Sequence, residues 1–189
     1  ASGVELVQLV GRRKEAFSDF DPGIPRALLG GTLEDADIYL IAVADNAIET
    51  VSGHLRGTAG LVAHTSGALG LEALGGISRP GVLYPLQTFS RERKVAFSET
   101  PLCLETGRPE DLPLLQTLAE SLSPKVFDLD VSARRQLHLA AVFVNNFTNH
   151  MVYLGEALCR EADVYPCVLD AMIFASYDAG RWTEDNLAW

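Results

Sequence analysis

Short apolar runs alternate with helix-length segments along the first two thirds of the chain. Val4–Val10 (VELVQLV), Ile38–Ala44 (IYLIAVA), Leu61–Ser66 (LVAHTS) and Val82–Leu86 (VLYPL) predict strands, and Leu102–Thr106 and Val126–Leu129 predict two more. Asn46–Leu55 and Pro109–Leu122 have the length and spacing of crossover helices. Near-continuous apolar strands joined by helices imply a mostly parallel sheet covered on both faces. After about Asp130 the strand pattern stops. Ser132 is placed to cap a long helix running towards Ala162, with helical or irregular sequence beyond. The expectation is therefore an α/β part over 1–130 followed by an all-α part over 131–189. There are no internal repeats and no low-complexity tracts.

Within the helical part, Arg134 to Tyr153 (RRQLHLAAVFVNNFTNHMVY) is unusual. It carries two histidines and three asparagines among apolar residues. At about 100° per residue, His138, Val142, Asn145, Asn149 and Val152 fall within about 80° of one another. An imidazole and two carboxamides then share a stripe, while Leu139, Val144, Phe147 and Met151 form an apolar side. Buried amides need partners, so the stripe is either satisfied by the fold or faces a ligand. Asn146 and His150 lie further round.

Composition narrows the function classes. An apolar fraction of 48% with 21% charged residues is ordinary for a globular chain with a sizeable core. The net charge of −10 argues against a dedicated nucleic-acid or anionic-membrane binder, because nothing would neutralise a row of phosphates. No apolar run reaches the roughly 18 residues of a membrane span. No secretory signal pattern opens the sequence. Cys103, Cys159 and Cys167 are widely spaced, with neither a disulfide framework nor a zinc spacing, so a cytoplasmic location without a metal is expected.

The chemistry-bearing residues cluster at strand ends. Gly11-Arg12-Arg13-Lys14 follows the first strand; in a nucleotide-binding α/β fold, arginine there suits the 2′-phosphate of NADP. A solvated basic loop is the simpler alternative. Acidic Glu34, Asp35 and Asp37 precede the next strand, and Asp45 starts or caps the helix after it. Val43 and Ser66, at the carboxyl ends of their strands, join Arg12 and Arg13 as cofactor-side candidates. His64, Gln87 and Asn146 are the substrate-side candidates. His138 is the candidate acid/base, since an imidazole exchanges protons near neutrality. Asn145 and Asn149 are the candidate holders of a carbonyl or carboxylate.

DADIYLIAVADNAI, VAHTSGALGLEAL, GVLYPLQTFS and RRQLHLAAVFVNNFTNHMVYLGEAL, in this order, resemble the bacterial Rossmann-like family with a C-terminal helical domain of unknown function. That family is similar to pyrroline-5-carboxylate reductases, 3-hydroxyisobutyrate dehydrogenases and deazaflavin-dependent NADP reductases. The resemblance spans about residues 4–165. It implies NADP as cofactor and a small carbonyl or imine substrate in an interdomain cleft. Separately, the helical part has apolar residues on more than one side, among them Leu137, Val144, Phe147, Met151, Leu154 and Leu158, which predicts a homodimer through the C-terminal helices. The related hydroxyacid dehydrogenases carry a lysine four residues before the asparagine matched by Asn145. Here that position is Ala141, which leaves His138 as the substitute.

The resemblance also predicts a strand and a GxGxxG-type turn ahead of Val4, which this sequence does not contain. Gly30-Gly31 is not expected to replace it, for want of a preceding strand. The chain is therefore expected to be N-terminally incomplete and to bind a dinucleotide poorly. After Leu169 the tail departs from the family. The other class of function compatible with the sequence is a non-catalytic Rossmann-like dimerisation or ligand-sensing module.

Overall fold

The computed structural model describes residues 3–89 and 95–169. The chain divides into two units, Ala1–His138 and Leu139–Trp189.

In the first unit, β1 (Leu9–Gly11) and β2 (Arg26–Leu28) form a parallel pair. A second sheet has the order β3-β4-β5-β6-β7, with β3 Ile38–Ile41, β4 Leu61–His64, β5 Pro80–Pro85, β6 Leu102–Thr106 and β7 Val126–Asp128. Its pairs are parallel except β5 with β6, which are antiparallel. The expected mostly parallel α/β sheet is thus present, with one reversal. Helix α1 (Asp45–Gly53) follows β3 and α2 (Leu112–Leu122) precedes β7. Among the described residues no strand pairs with the outer side of β3, whose Leu40 is half exposed.

Burial on both faces explains why the β4 and β5 segments carry almost no polar residues. Side chains alternate across a strand. Leu61, Ala63, Leu83, Leu102 and Leu104 meet Leu115 and Ala119 of α2. Val62 packs instead with Ile41, Ile48, Leu55 and Leu74, the α1 side. On the Val62 side of β5, Val82 and Tyr84 join Cys103, with Leu129 and Leu137 packed against them. Each fully buried aliphatic side chain contributes about 1.5–3 kcal/mol, so these two layers dominate the unit's stability.

Several local expectations are corrected. Val4 and Leu6 are exposed and, among the described residues, pair with no strand, so the first strand shrinks to Leu9–Gly11. Arg26–Leu28 is a strand the pattern did not suggest, and it does precede Gly30-Gly31. Those glycines make a tight turn: Gly30 has φ +87° and the Gly31 amide donates to the Leu28 carbonyl at 2.8 Å. The β3 strand ends at Ile41, leaving Val43 in the following loop. Asp45 is the first residue of α1 and makes no side-chain capping bond; its charge there suits the helix dipole.

Helix α3 (Val131–Ala141) is capped by Asp130, not Ser132: the Asp130 carboxylate accepts the Ala133 amide at 2.8 Å. The expected single long helix is interrupted. Val142–Phe147 is a π-helical segment, followed by α4 (Thr148–Glu161) and a 3-10 turn at Pro166–Leu169. The tail beyond Leu169, expected to depart from the family pattern, lies outside the described residues, and the family match reported below runs on through residue 179.

Candidate functional site

The first unit gathers polar groups around the loop that leaves β4. His64 is fully buried. Its Nδ1 accepts the Ser66 amide at 3.1 Å, and Nε2 lies 3.2 Å from the Gly70 carbonyl. The first contact makes Nδ1 the acceptor, so Nε2 carries the proton and donates. Burial holds His64 below the ordinary imidazole value of 6.5, outweighing the opposing Gly70 contact. With both nitrogens engaged, His64 is part of the turn in this structure. Ser66 is also turned inward: its hydroxyl oxygen accepts the Ala68 and Leu69 amides at 3.2 and 3.0 Å.

Two arginines of α3 close on the same loop. The Arg134 side chain is fully buried; it pairs with Glu105 of β6 and donates to the Leu69 carbonyl at 2.7 Å. Arg135 donates to the Ala68 carbonyl at 2.7 Å and pairs with Glu72 at 2.8 Å. Cations in the first turn of a helix oppose its dipole, so such a pair signals specific partners. One turn later, His138 is half-buried with Nδ1 3.0 Å from the Tyr84 hydroxyl. Tyr84 is a site residue that sequence reasoning missed, because an aromatic in an apolar strand reads as core.

The remaining candidates are more open. Arg12 and Arg13 follow β1 directly, are exposed, and line a depression in the surface. Among the described residues no ion pair involves Arg12, Arg13 or Lys14. Val43 is part-exposed beyond β3, and Gln87 is exposed beyond β5, its side-chain Oε1 accepting the Thr88 amide at 2.9 Å.

In the second unit the three asparagines are linked. Asn145 donates to Asn146 at 3.0 Å, and Asn149 donates to Asn145 at 3.4 Å. The π segment carries Asn145 and Asn146, and Phe143 stacks on Phe147 with centroids 5.0 Å apart. An i→i+5 turn takes more residues than an α-turn, so the stripe computed at a uniform α period does not continue unchanged past Val142. Leu139, Val144, Phe147 and Met151, expected to pack, are each at least half exposed.

An α/β unit with a largely parallel sheet, candidate polar residues at strand ends, and helices following it in sequence define a Rossmann-like protein. The Domain of unknown function (DUF2520) matches residues 100–179. A Bacteroides fragilis crystal structure, of a protein provisionally named an NADP oxidoreductase, is 32% identical with a TM-score of 0.83. The alignment covers 97% of this chain and 73% of that one. A Thermotoga maritima protein is 23% identical, with a TM-score of 0.69 and coverage of 88% and 67%. A Mycobacterium avium protein provisionally named an oxidoreductase is 16% identical, with a TM-score of 0.58 and coverage of 87% and 62%. The last two bear on fold alone. No curated protein matches the chain. This chain belongs to the Rossmann-like family with a C-terminal helical domain of unknown function.

Among the described residues no group of three or more histidine, cysteine or acidic side chains is arranged to hold a metal ion, and no helix is long and apolar enough to cross a membrane.

Proposed function

We propose that the protein is an NADP(H)-dependent oxidoreductase acting on a small carbonyl or imine substrate. The observation that carries this reading is the pair Arg12 and Arg13, exposed at the carboxyl end of β1 and free of any acidic partner among the described residues in a chain of net charge −10. Two adjacent guanidiniums with no acidic partner among the described residues are open to an anion, and their planar forks suit a ribose 2′-phosphate. These residues fit the adenosine end of the cofactor. When bound, the nicotinamide supplies or accepts the hydride. His138 exchanges the proton at the substrate's oxygen or nitrogen, while Asn145 and Asn149 hydrogen-bond its polar atoms without changing charge. Val43 and the Ser66 turn flank the cofactor; Gln87 and Asn146 contact substrate.

Calorimetry with NADPH and NADH tests the cofactor half. NADPH preference that is lost in Arg12→Ala/Arg13→Ala supports it; equal affinity for both cofactors before and after substitution defeats it. For the chemistry, His138→Gln should abolish turnover and leave cofactor affinity unchanged, and undiminished turnover would remove His138 from the role. Absence of binding by this chain and by a version extended upstream would favour the non-catalytic module.

The proposal extends to a homodimer. Leu139, Val144, Phe147, Met151, Leu154 and Leu158 are all exposed on one stretch of helix, an apolar surface of the kind a second copy covers. A monomer by light scattering at micromolar concentration would contradict it. Three free cysteines fit a reducing, cytoplasmic setting.

A further inference from the structure

Tyr84 and His138 meet in a geometry that the proposed chemistry has not yet used. The Tyr84 hydroxyl is 3.0 Å from His138 Nδ1, and the rings meet edge to face, with centroids 5.8 Å apart and planes at 70°. Gly67 lies against both. A Cβ there would stand 2.6 Å from Tyr84 Cζ and 2.8 Å from His138 Nδ1, distances that real side chains do not tolerate. A backbone without a side chain is therefore part of how the pair fits.

Tyr84 is buried, and burial pushes its phenol above the ordinary value of 10, so it carries its proton at neutral pH. A buried hydroxyl needs an acceptor. Among the described residues, His138 Nδ1 is the side-chain acceptor within reach of this one. If Nδ1 carried the proton instead, the phenol hydrogen would have no side-chain acceptor among the described residues. A neutral imidazole has one donor and one acceptor nitrogen, and the partner of one decides the state of the other.

We propose that Tyr84 is a positioning residue for His138. It donates to Nδ1, holds that edge of the ring inward against Gly67, and leaves Nε2–H as the edge that exchanges protons with a ligand. The catalytic consequence rests on the acid/base role given to His138 above; the ring orientation does not.

The test uses the chain labelled with 15N-histidine and a long-range 1H–15N correlation spectrum above the ordinary imidazole titration range, without cofactor or substrate. His138→Gln identifies the His138 signals. In the unaltered protein His138 should show a bare Nδ1 and a protonated Nε2. In Tyr84→Phe, which keeps the ring and loses the hydroxyl, that separation should shrink as a proton-bearing Nδ1 form appears. Gly67→Ala should produce the same collapse by pushing the pair apart, and serves if the first variant does not fold. His64, locked as Nε2–H by Ser66 and Gly70, is the internal control and should keep its pattern in Tyr84→Phe. A protonated Nδ1 in the unaltered protein, or unchanged His138 signals in a folded Tyr84→Phe, would overturn the proposal. Because no turnover is measured, that failure is separate from failure of the oxidoreductase reading.

Discussion

Substitution of Arg134 by alanine should be the most damaging single change in the loop-clamping network. The side chain is fully buried and its partner Glu105 is 16% exposed, so solvent screens the pair little. Truncation removes a charge-assisted bond to Glu105 and a second bond to the Leu69 carbonyl. Two hydrogen bonds to a charged group are worth about 3–6 kcal/mol. The Nε group already lacks a partner, and relief of its desolvation lowers the figure. The expected loss is about 3–5 kcal/mol, the range for breaking a buried ion pair from one side. For a chain of this size that lowers the melting temperature by roughly 6–20 °C.

Urea and thermal unfolding followed by circular dichroism measure the loss directly. The double variant Arg134→Met/Glu105→Leu should recover most of it, because an apolar pair strands no charge. A loss below about 1 kcal/mol in Arg134→Ala, or a double variant no more stable than Arg134→Met, would refute this account of the pair.

Three further outcomes follow from groups around the sheet. His64 is held below 6.5 by burial, so at acidic pH the unfolded chain binds a proton that the folded one resists. Its contribution is fully present above 6.5 and is lost as pH falls through and below that value; urea midpoints at pH 7.5 and 5.5 should show it, with a shallower slope in His64→Gln. Ser66→Ala should cost about 1–3 kcal/mol by leaving the Ala68 and Leu69 amides without their acceptor, read as a lower urea midpoint at unchanged m-value. Cys103 is buried and its thiol pushed up by burial, whereas Cys159 is half-buried and Cys167 exposed. A chromogenic disulfide reagent should label Cys167 first and reach Cys103 only on unfolding, and early labelling of Cys103 would contradict its place in the sheet.

Elements buried on both faces were the readable ones. Leu102–Thr106 is a strand at the bounds its apolar run suggested, and the Leu61 and Val82 strands differ from expectation only at their ends. Arg26–Leu28 was not readable: a three-residue strand opening on an exposed arginine has no alternation, and only pairing with β1 makes it one. Val4–Leu6 erred the other way, apolar in sequence but pairing with no strand among the described residues. Asp130 and Ser132 are both competent caps, and sequence alone does not say which register wins. The π segment is equally hidden, because any period analysis assumes the regular turn that Val142–Phe147 breaks. At the site, His138 and the strand-end arginines stand out as polar exceptions in their surroundings. Tyr84 does not, since its role depends on a residue 54 positions away.

The side of β3 that no described strand covers bears on how this chain behaves at high concentration. Ile38–Val43 (IYLIAV) is a six-residue stretch with no charge, no proline and strong β preference, and among the described residues β3 is an edge of its sheet. Such an edge is a template for the same strand of another molecule. Its guard is electrostatic: Glu34, Asp35 and Asp37 stand on one flank and Asp45 on the other, so stacked copies bring four acids of each chain into register. Salt weakens that repulsion, with a screening length of about 10 Å at 0.1 M. Fibrillar self-association is therefore expected to rise with ionic strength, and Leu40→Lys to suppress it.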